Sequence, residues 1–407
     1  MPHLLVVGAG AAGLFAAGTA LKKGHEVTLV EHMDRPGKKL CITGKGRCNL
    51  TNDCDETGFF ENIRRNPKFL YSAINKFPPR AAMRYFEEEL SVPLKVERGH
   101  RVFPQSDRAE EVVQALVHSA KDAISVRGQA TGLLLEREGS ECGGVRLADG
   151  RECRADAVLL STGGLSYPAT GSTGLGYEMA RQAGHAIVPP VPSLVALREK
   201  GTLCKRMQGL SLRNVTLTLF EGETPHFREQ GELLFTHFGL SGPLTLSASA
   251  YVAEEKKKPY HIEIDLKPAL SAEKLDARLQ RDFEVFANRN VANCLDKLLP
   301  KAMRGVMVEL WGVDGDKKTN QLTREERRRL GELIKHFRIE IEGKGDLAHA
   351  VVTSGGVDVR QVNPRTMESK LCKNLYFAGE VLDVDGYTGG FNLQIAWATA
   401  WAAACSL

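Results

Sequence analysis

The chain has 407 residues, of which 43% are hydrophobic and 26% charged, and a net charge of +4 at pH 7. That balance suits a soluble globular protein of about two to three cored domains. It is too mildly basic to argue for nucleic acid, and it offers no apolar run of about eighteen residues to span a membrane.

The expected partner is therefore a small-molecule substrate, with no nucleic acid and no membrane. Nine scattered cysteines, odd in number and without metal-ligand spacing, suit a reducing compartment and predict no metal site. The first strand begins too early for a signal peptide, so a cytoplasmic location is expected. Lys256-Lys257-Lys258 and Arg327-Arg328-Arg329 both follow glutamates and read as solvated faces.

Leu4-Leu5-Val6-Val7 predicts a buried parallel strand that runs into Gly8-Ala9-Gly10-Ala11-Ala12-Gly13, with a helix over 11–22. Gly8 permits the tight turn, Gly10 lets the backbone approach a pyrophosphate, and Gly13 lets the helix pack closely on the sheet. A second strand over 26–30 ends in Glu31, about twenty residues past the turn, where a carboxylate accepts from both hydroxyls of an adenosine ribose. This is the pattern of a dinucleotide site.

Residues 37–52 combine glycines, basic side chains and small polar groups, and read as a loop without strand or helix. Lys39 and Arg47 are its candidates for a phosphate or substrate charge, and Asn49 and Thr51 for hydrogen bonds to a polar ring. The glycine spacing excludes a Walker-type phosphate loop. A helical pattern over 66–90 breaks at Pro78-Pro79, and Asp107 reads as the cap of a helix that opens with Arg108-Ala109-Glu110-Glu111 and continues in the apolar period of 112–120. Short strands over 125–156 predict an antiparallel meander. A buried strand over 157–160 then ends in Ser161-Thr162-Gly163-Gly164, small residues placed where backbone again runs close to a ligand. Gly171-Ser172-Thr173-Gly174 lacks the spacing of a second dinucleotide turn.

Pro189-Pro190-Val191-Pro192 reads as a linker. Beyond it, 203–266 is strand-rich and fits a small antiparallel barrel, while 271–337 is helical over 273–286, 292–299 and 323–337. A strand returns at 338–341. The last segment carries an apolar strand into Gly379-Glu380, then Gly389-Gly390 and an Ala-rich helix over 395–404.

The strand ends at Gly8, Glu31, Thr162 and Gly379 are expected on the carboxyl edge of one sheet, where open α/β folds bind ligands. A ligand that touches them all carries an adenosine, a pyrophosphate and a further extended portion. FAD has that length and NAD is the lesser alternative. Glu380 would bond the ribityl chain, and the last helix would aim its positive end at the pyrimidine side of the ring.

These motifs carry a resemblance. The opening turn with Glu31, then Gly44-Lys45-Gly46-Arg47-Cys48-Asn49-Leu50-Thr51-Asn52, is similar to the BaiN/YhiN/aminoacetone oxidase-like family of FAD-dependent oxidoreductases. So are Thr162-Gly163-Gly164, Phe235-Thr236-His237-Phe238-Gly239-Leu240-Ser241-Gly242-Pro243, and Phe377-Ala378-Gly379-Glu380-Val381-Leu382-Asp383-Val384-Asp385-Gly386. Cys41 and Lys45 depart from the family's usual wording.

The resemblance spans nearly the whole chain. It implies an α/β, Rossmann-like FAD-binding domain built from both chain ends (1–192 and 346–407). Into it are inserted a β-barrel-like domain (193–270 with 337–345) and a helical domain (271–336). The matched positions that it implies for FAD are Gly8, Gly10, Ala12, Gly13, Glu31, Arg47, Cys48, Asn49, Thr162, Gly163, Gly379, Glu380, Asn392, Leu393 and Gln394.

The activity implied is hydride transfer through the flavin, with NAD(P)H as a transient reductant and a small or steroid-like unsaturated carbonyl compound as substrate. An oxygen-using oxidation of an aminoketone is the alternative. A dithiol enzyme using Cys41 and Cys48, and a non-enzymatic flavin-binding accessory protein for RNA modification, are the competing classes. Because hydride chemistry resides in the flavin, no side chain is forced to be catalytic; His237 and Tyr387 are the titratable groups to test first.

Overall fold

Four apolar residues in a row cannot alternate between core and solvent, so the opening strand has to be covered on both faces. In a computed structural model describing residues 1–253 and 258–407, β1 (His3–Val7) meets that demand, with Leu5 and Val6 wholly buried. It pairs in parallel with β2 (Glu26–Glu31) on one side and with Ala157–Leu160 on the other. Ile124–Arg127 extends the sheet beyond β2, and Leu375–Phe377 extends it beyond Ala157–Leu160. All five strands run the same way, and β1 is the middle one.

The helix α1 (Ala11–Lys22) connects β1 to β2 and packs against the C-terminal helix Phe391–Ala404. Both are apolar nearly all round, as helices buried inside a domain must be. Phe15 of α1 lies 5.5 Å, ring to ring, from Trp397. Trp397 has no exposed surface, and its indole N–H donates to the Leu50 carbonyl at 2.9 Å. The expected antiparallel meander is present as Ala130–Glu136, Glu141–Leu147 and Glu152–Arg154.

The chain divides into two units, Met1–Ser193 with Asp346–Leu407, and Leu194–Gly345. The second contains a closed barrel of six strands. Its long hairpin, Ser211–Glu221 with Thr224–Phe235, is flanked by Tyr260–Asp265, which pairs in turn with Phe337–Lys344. Inward-facing Leu217, Leu219, Ile262 and Ile264 share one apolar cluster with Leu275, Leu279 and Trp311 of the following helices.

Several local expectations are corrected. The proline run 189–192 is not a bare linker but lies in a strand, Ile187–Ser193, paired antiparallel with Val352–Val357. A register shift between Val188 and Val191 accommodates residues that have no N–H to give. Residues 292–299 are not a helix; after a single 3₁₀ turn, Val291–Asn293, the helix begins beyond Pro300 as Lys301–Trp311. The strand-rich stretch also holds two helices, Leu203–Arg206 and Pro243–Ser249. The loop 37–52 contains a kinked 3₁₀ segment, Leu40–Gly46, and a two-residue strand, Thr51–Asn52. Asp107 does not cap its helix: Arg108 occupies the cap, and the Asp107 carboxylate bonds Lys95 and Arg47 instead. Of the basic clusters, Lys256 and Lys257 lie outside the described residues. Arg327–329 is not simply a solvated face, because Arg327 is held by Asp276 at 2.7 Å and Arg329 donates to the Trp311 carbonyl.

One buried imidazole makes the first unit sensitive to acid. His185 is 3% exposed, bonds Ser369 through Nε2 at 2.7 Å and meets the Phe377 ring edge-on. Burial pushes its pKa down to about 4, against the opposing influence of Gln361 and Asp358. Above the ordinary histidine value both folded and unfolded states are neutral there; below it only the unfolded chain takes the proton. Stability is therefore expected to fall as pH drops from about 6.5 toward about 4, by up to about 1.4 kcal/mol per pH unit from this group. Urea unfolding of wild type and His185→Gln at about pH 7 and about pH 5 checks this: the variant should lose less on acidification.

Candidate active site

Each strand end singled out in the sequence reaches the carboxyl edge of the parallel sheet. β1 delivers Gly8, β2 ends in Glu31, Ala157–Leu160 leads to Thr162, and Leu375–Phe377 leads to Gly379.

At the opening turn, contact distances decide which residues fit. Gly8 has φ +99°, and a Cβ there would lie 2.8 Å from the Ser161 carbonyl oxygen. A Cβ on Gly13 would lie 1.8 Å from the Gly8 carbonyl oxygen, an impossible contact. A Cβ on Gly10 would meet nothing within 4 Å. The first two glycines thus serve the protein's own packing, while the third faces open space. Ser161 fastens the turn, its hydroxyl donating to the Val7 and Gly8 carbonyls at 2.9 and 3.0 Å. The helix α1 starts without a side-chain cap and without an acidic residue in its first turn. Its first N–H groups and positive dipole end are left for an anion.

The Glu31 carboxylate is fixed beside this turn, accepting from the Ala9 N–H at 2.7 Å and the Met33 N–H at 2.8 Å. Ala12 packs under Gly379, where a Cβ would stand 3.1 Å from its methyl group. Gly379 itself has φ +75° and donates its N–H to Thr399 of the last helix at 3.0 Å. Gly163, at φ +71°, leaves 2.8 Å between a built Cβ and the Ser172 hydroxyl oxygen. The buried hydroxyl of Thr162 has no hydrogen-bond partner.

Glu380 sits at a four-way junction. Its Oε2 accepts from the Lys39 ammonium at 2.8 Å; its Oε1 accepts from the Ser166 hydroxyl and the Thr353 N–H, both at 2.8 Å. Lys39 also bonds Ser166 at 2.6 Å, and Thr353 takes the N–H groups of Leu165 and Ser166 on its own hydroxyl. Burial alone would raise the Glu380 pKa, but the Lys39 charge and these hydrogen bonds outweigh it and hold the carboxyl below its usual value.

The last helix presents a second uncapped start. Gly390 has φ +98° and lies so close to Thr51 that a Cβ would approach its carbonyl oxygen to 2.3 Å. The side chains around it are engaged within the protein. Asn392 binds the Gly386 N–H and carbonyl at 2.9 and 2.8 Å. Gln394 is wholly buried between Thr51 and the Phe77 carbonyl. The Asn49 amide, oriented by its neighbours, accepts from the Gly390 N–H at 3.0 Å. Leu393 is half-buried in the first turn. The Gln394 N–H is taken as well, by the Gly390 carbonyl at 3.0 Å, so the donors that this helix start leaves to a ligand are the backbone N–H groups of its first turn before Gln394.

Arg47 is held elsewhere in the loop by Glu97 at 2.9 Å and Asp107 at 3.1 Å, with its guanidinium 4.1 Å from the Phe103 ring centre. Cys48 is wholly buried, and burial pushes its thiol up to about 12. Burial and Glu110 likewise raise Cys41, which donates to that carboxylate at 3.2 Å. A redox dithiol needs an accessible, lowered-pKa thiolate, whereas here one thiol is wholly buried and both are pushed up. Tyr387 is buried with Arg64 above its ring at 5.9 Å, and His237 is exposed in the second unit, edge-on to Phe238. The sequence marks Ser161 only as a small residue at a strand end, and assigns no role to Ser166 or Thr353. Ser161 directly follows a buried strand and was open to discovery; nothing near Ser166 or Thr353 in the chain announces a partner hundreds of residues away.

Across residues 2–406 the chain matches the family described as HI0933-like protein Rossmann domain. The chain belongs to that family. Among curated HI0933-like relatives, a ribosomal RNA dihydrouridine synthase of Escherichia coli is 31% identical over 99% of this chain and 97% of its own length. A 3-dehydro-bile acid delta(4,6)-reductase of Clostridium scindens is 30% identical over 99% of this chain and 98% of its own. A solved structure of 3-ketosteroid delta1-dehydrogenase from Sterolibacterium denitrificans covers 100% of this chain and 99% of that one, at 13% identity and a TM-score of 0.50, a likeness of fold. The family resemblance drawn from the motifs therefore holds. This HI0933-like chain is a flavin-dependent oxidoreductase with a Rossmann-type FAD-binding fold and a barrel.

The turn geometry yields a stability prediction. Gly13→Ala forces a methyl group onto the Gly8 carbonyl, and α1 has to move off the sheet. Thermal or urea unfolding of the FAD-free protein should show a loss of about 1–3 kcal/mol or more, where a helix-interior Gly→Ala change is ordinarily stabilising.

Proposed function

We propose that the chain reduces a carbon–carbon double bond conjugated to a carbonyl group, with NADH or NADPH as the source of hydride. The observation that carries this reading is the bond shared by two relatives of full length. Dihydrouridine is uridine with its ring C=C saturated beside a carbonyl, and a delta-4 double bond in a 3-dehydro bile acid is conjugated to the 3-oxo group. The substrates named are unlike each other in everything except that bond. A small carbonyl compound of steroid-like size is the substrate class we favour. A uridine in ribosomal RNA is the second reading, favoured by two relatives of that name at 31% and 32% identity.

The residues fit FAD laid along the carboxyl edge. The uncapped start of α1 and the open side of Gly10 would take the pyrophosphate, and the anchored Glu31 carboxylate the adenosine ribose. Thr162 and Gly163 line the strand end between, and the Thr162 hydroxyl has bonding capacity to spare. Gly379 and Glu380 close the other side. The backbone N–H groups of Asn392 and Leu393 would point at the ring, where preorganised donors stabilise negative charge, while Gln394 would hold the turn from within. Arg47, Cys48 and Asn49 would act by shaping the covering loop, since their side chains are engaged within the protein. FAD, when bound, supplies a ring that accepts and returns hydride.

Two tests follow. Gly10→Val should leave the unfolding midpoint of the FAD-free protein nearly unchanged and weaken FAD binding by about tenfold or more, read by quenching of flavin fluorescence. Second, anaerobic mixing of the FAD-loaded protein with NADH or NADPH should bleach the flavin band, and a conjugated enone should restore it without oxygen. Reoxidation by a uridine-containing ribosomal RNA fragment but not by enones would establish the second reading. Bleaching only by an aminoketone, with hydrogen peroxide formed in air, would replace both.

A further inference from the structure

The Lys39–Glu380 pair has a consequence that goes beyond binding. Its two charges come from distant parts of the chain and meet at 2.8 Å, each side chain only about one-fifth exposed. Low solvent access leaves little screening, so either charge alone would act strongly on anything bound beside it. Reducing a flavin places negative charge on its ring system. A fixed anion nearby resists that change and a fixed cation favours it.

We propose that Lys39 and Glu380 form a charge-neutral pair whose function is to set the reduction potential of the bound FAD. Glu380 occupies the strand end with its carboxylate already accepting three hydrogen bonds, from Lys39, Ser166 and Thr353. Lys39 cancels the carboxylate's charge, so that neither charge acts alone on the ring. This inference rests on FAD lying along the carboxyl edge as set out above. It makes Lys39 a positioning residue whose effect passes through Glu380.

The test is the midpoint potential of the bound flavin, measured anaerobically against reference dyes at about pH 8, where an unpaired carboxyl is ionised. Lys39→Met should lower the potential and Glu380→Gln should raise it. The double variant should return close to wild type, as should Lys39→Arg, which keeps the charge. A junction that only held the loop in place would not give shifts of opposite sign. Single variants that shift in the same direction, or retain FAD at the wild-type potential, overturn the proposal. Should Lys39→Met fail to fold, a raised potential in Glu380→Gln with an unchanged one in Lys39→Arg decides in favour, and any other combination against. A wild-type protein that takes up no FAD would instead overturn the placement of the cofactor.

Discussion

The helix α1 lies so close to the turn that precedes it that a Cβ at position 13 would stand 1.8 Å from the Gly8 carbonyl oxygen. With no Cβ at position 13, the helix settles against the Gly8 carbonyl, and Ser161 reaches across from the neighbouring strand to hold the same carbonyl. This contact fixes the height of α1 over the sheet. Everything laid on α1 inherits that height: Trp397 against Phe15, Gly379 against Ala12, and through them the whole C-terminal segment. A displacement at residue 13 would therefore be felt at both ends of the chain.

The junction at Glu380 follows a different logic. Placing a carboxylate where water barely reaches is costly unless it is paired and hydrogen-bonded. Here the compensation comes from three separate segments, and each partner is itself restrained. Ser166 is fully buried, and Thr353 is tied to Ser166 and Leu165 by two backbone bonds. Preorganisation of this kind keeps the anion in place without asking a ligand to neutralise it. It also explains how an acidic residue can stand at this strand end without a ligand to neutralise it.

Much of this was legible because the relevant signals are local. A run of buried aliphatics, glycines at fixed offsets and a carboxylate at the end of the next strand lie within the first 31 residues, and each records a steric or electrostatic demand of its own neighbourhood. The barrel was legible from alternation, as in 215–220 and 261–266. What escaped was set by distance in the chain or by competing geometry. Pro189, Pro190 and Pro192 carry the composition of a linker, yet a shifted register lets a strand absorb them. Asp107 has the composition of a cap, but two cations nearby outbid the helix N–H groups for its carboxylate. Pro300 delays a helix whose apolar period looked as if it began at residue 292 to a start at Lys301. At the site, backbone-dominated positions such as Gly8, Gly13 and Gly379 were open to reading, whereas the roles of Asn392 and Gln394 were not, since the partners that occupy their side chains come from other parts of the fold.

The pairing of Lys39 with Glu380 also orders events in time. The two residues are 341 positions apart. A ribosome delivers the opening turn, Glu31 and the covering loop long before the strand Leu375–Phe377 and the helix Phe391–Ala404 that packs on α1. Until then β1 and α1 have exposed apolar faces with no permanent cover, a condition that favours association with chaperones or with other nascent chains. The carboxyl edge of the sheet is likewise incomplete until the strand Leu375–Phe377 has formed, so a chain interrupted before it would have β1 and α1 but neither the fifth strand nor the helix that covers them.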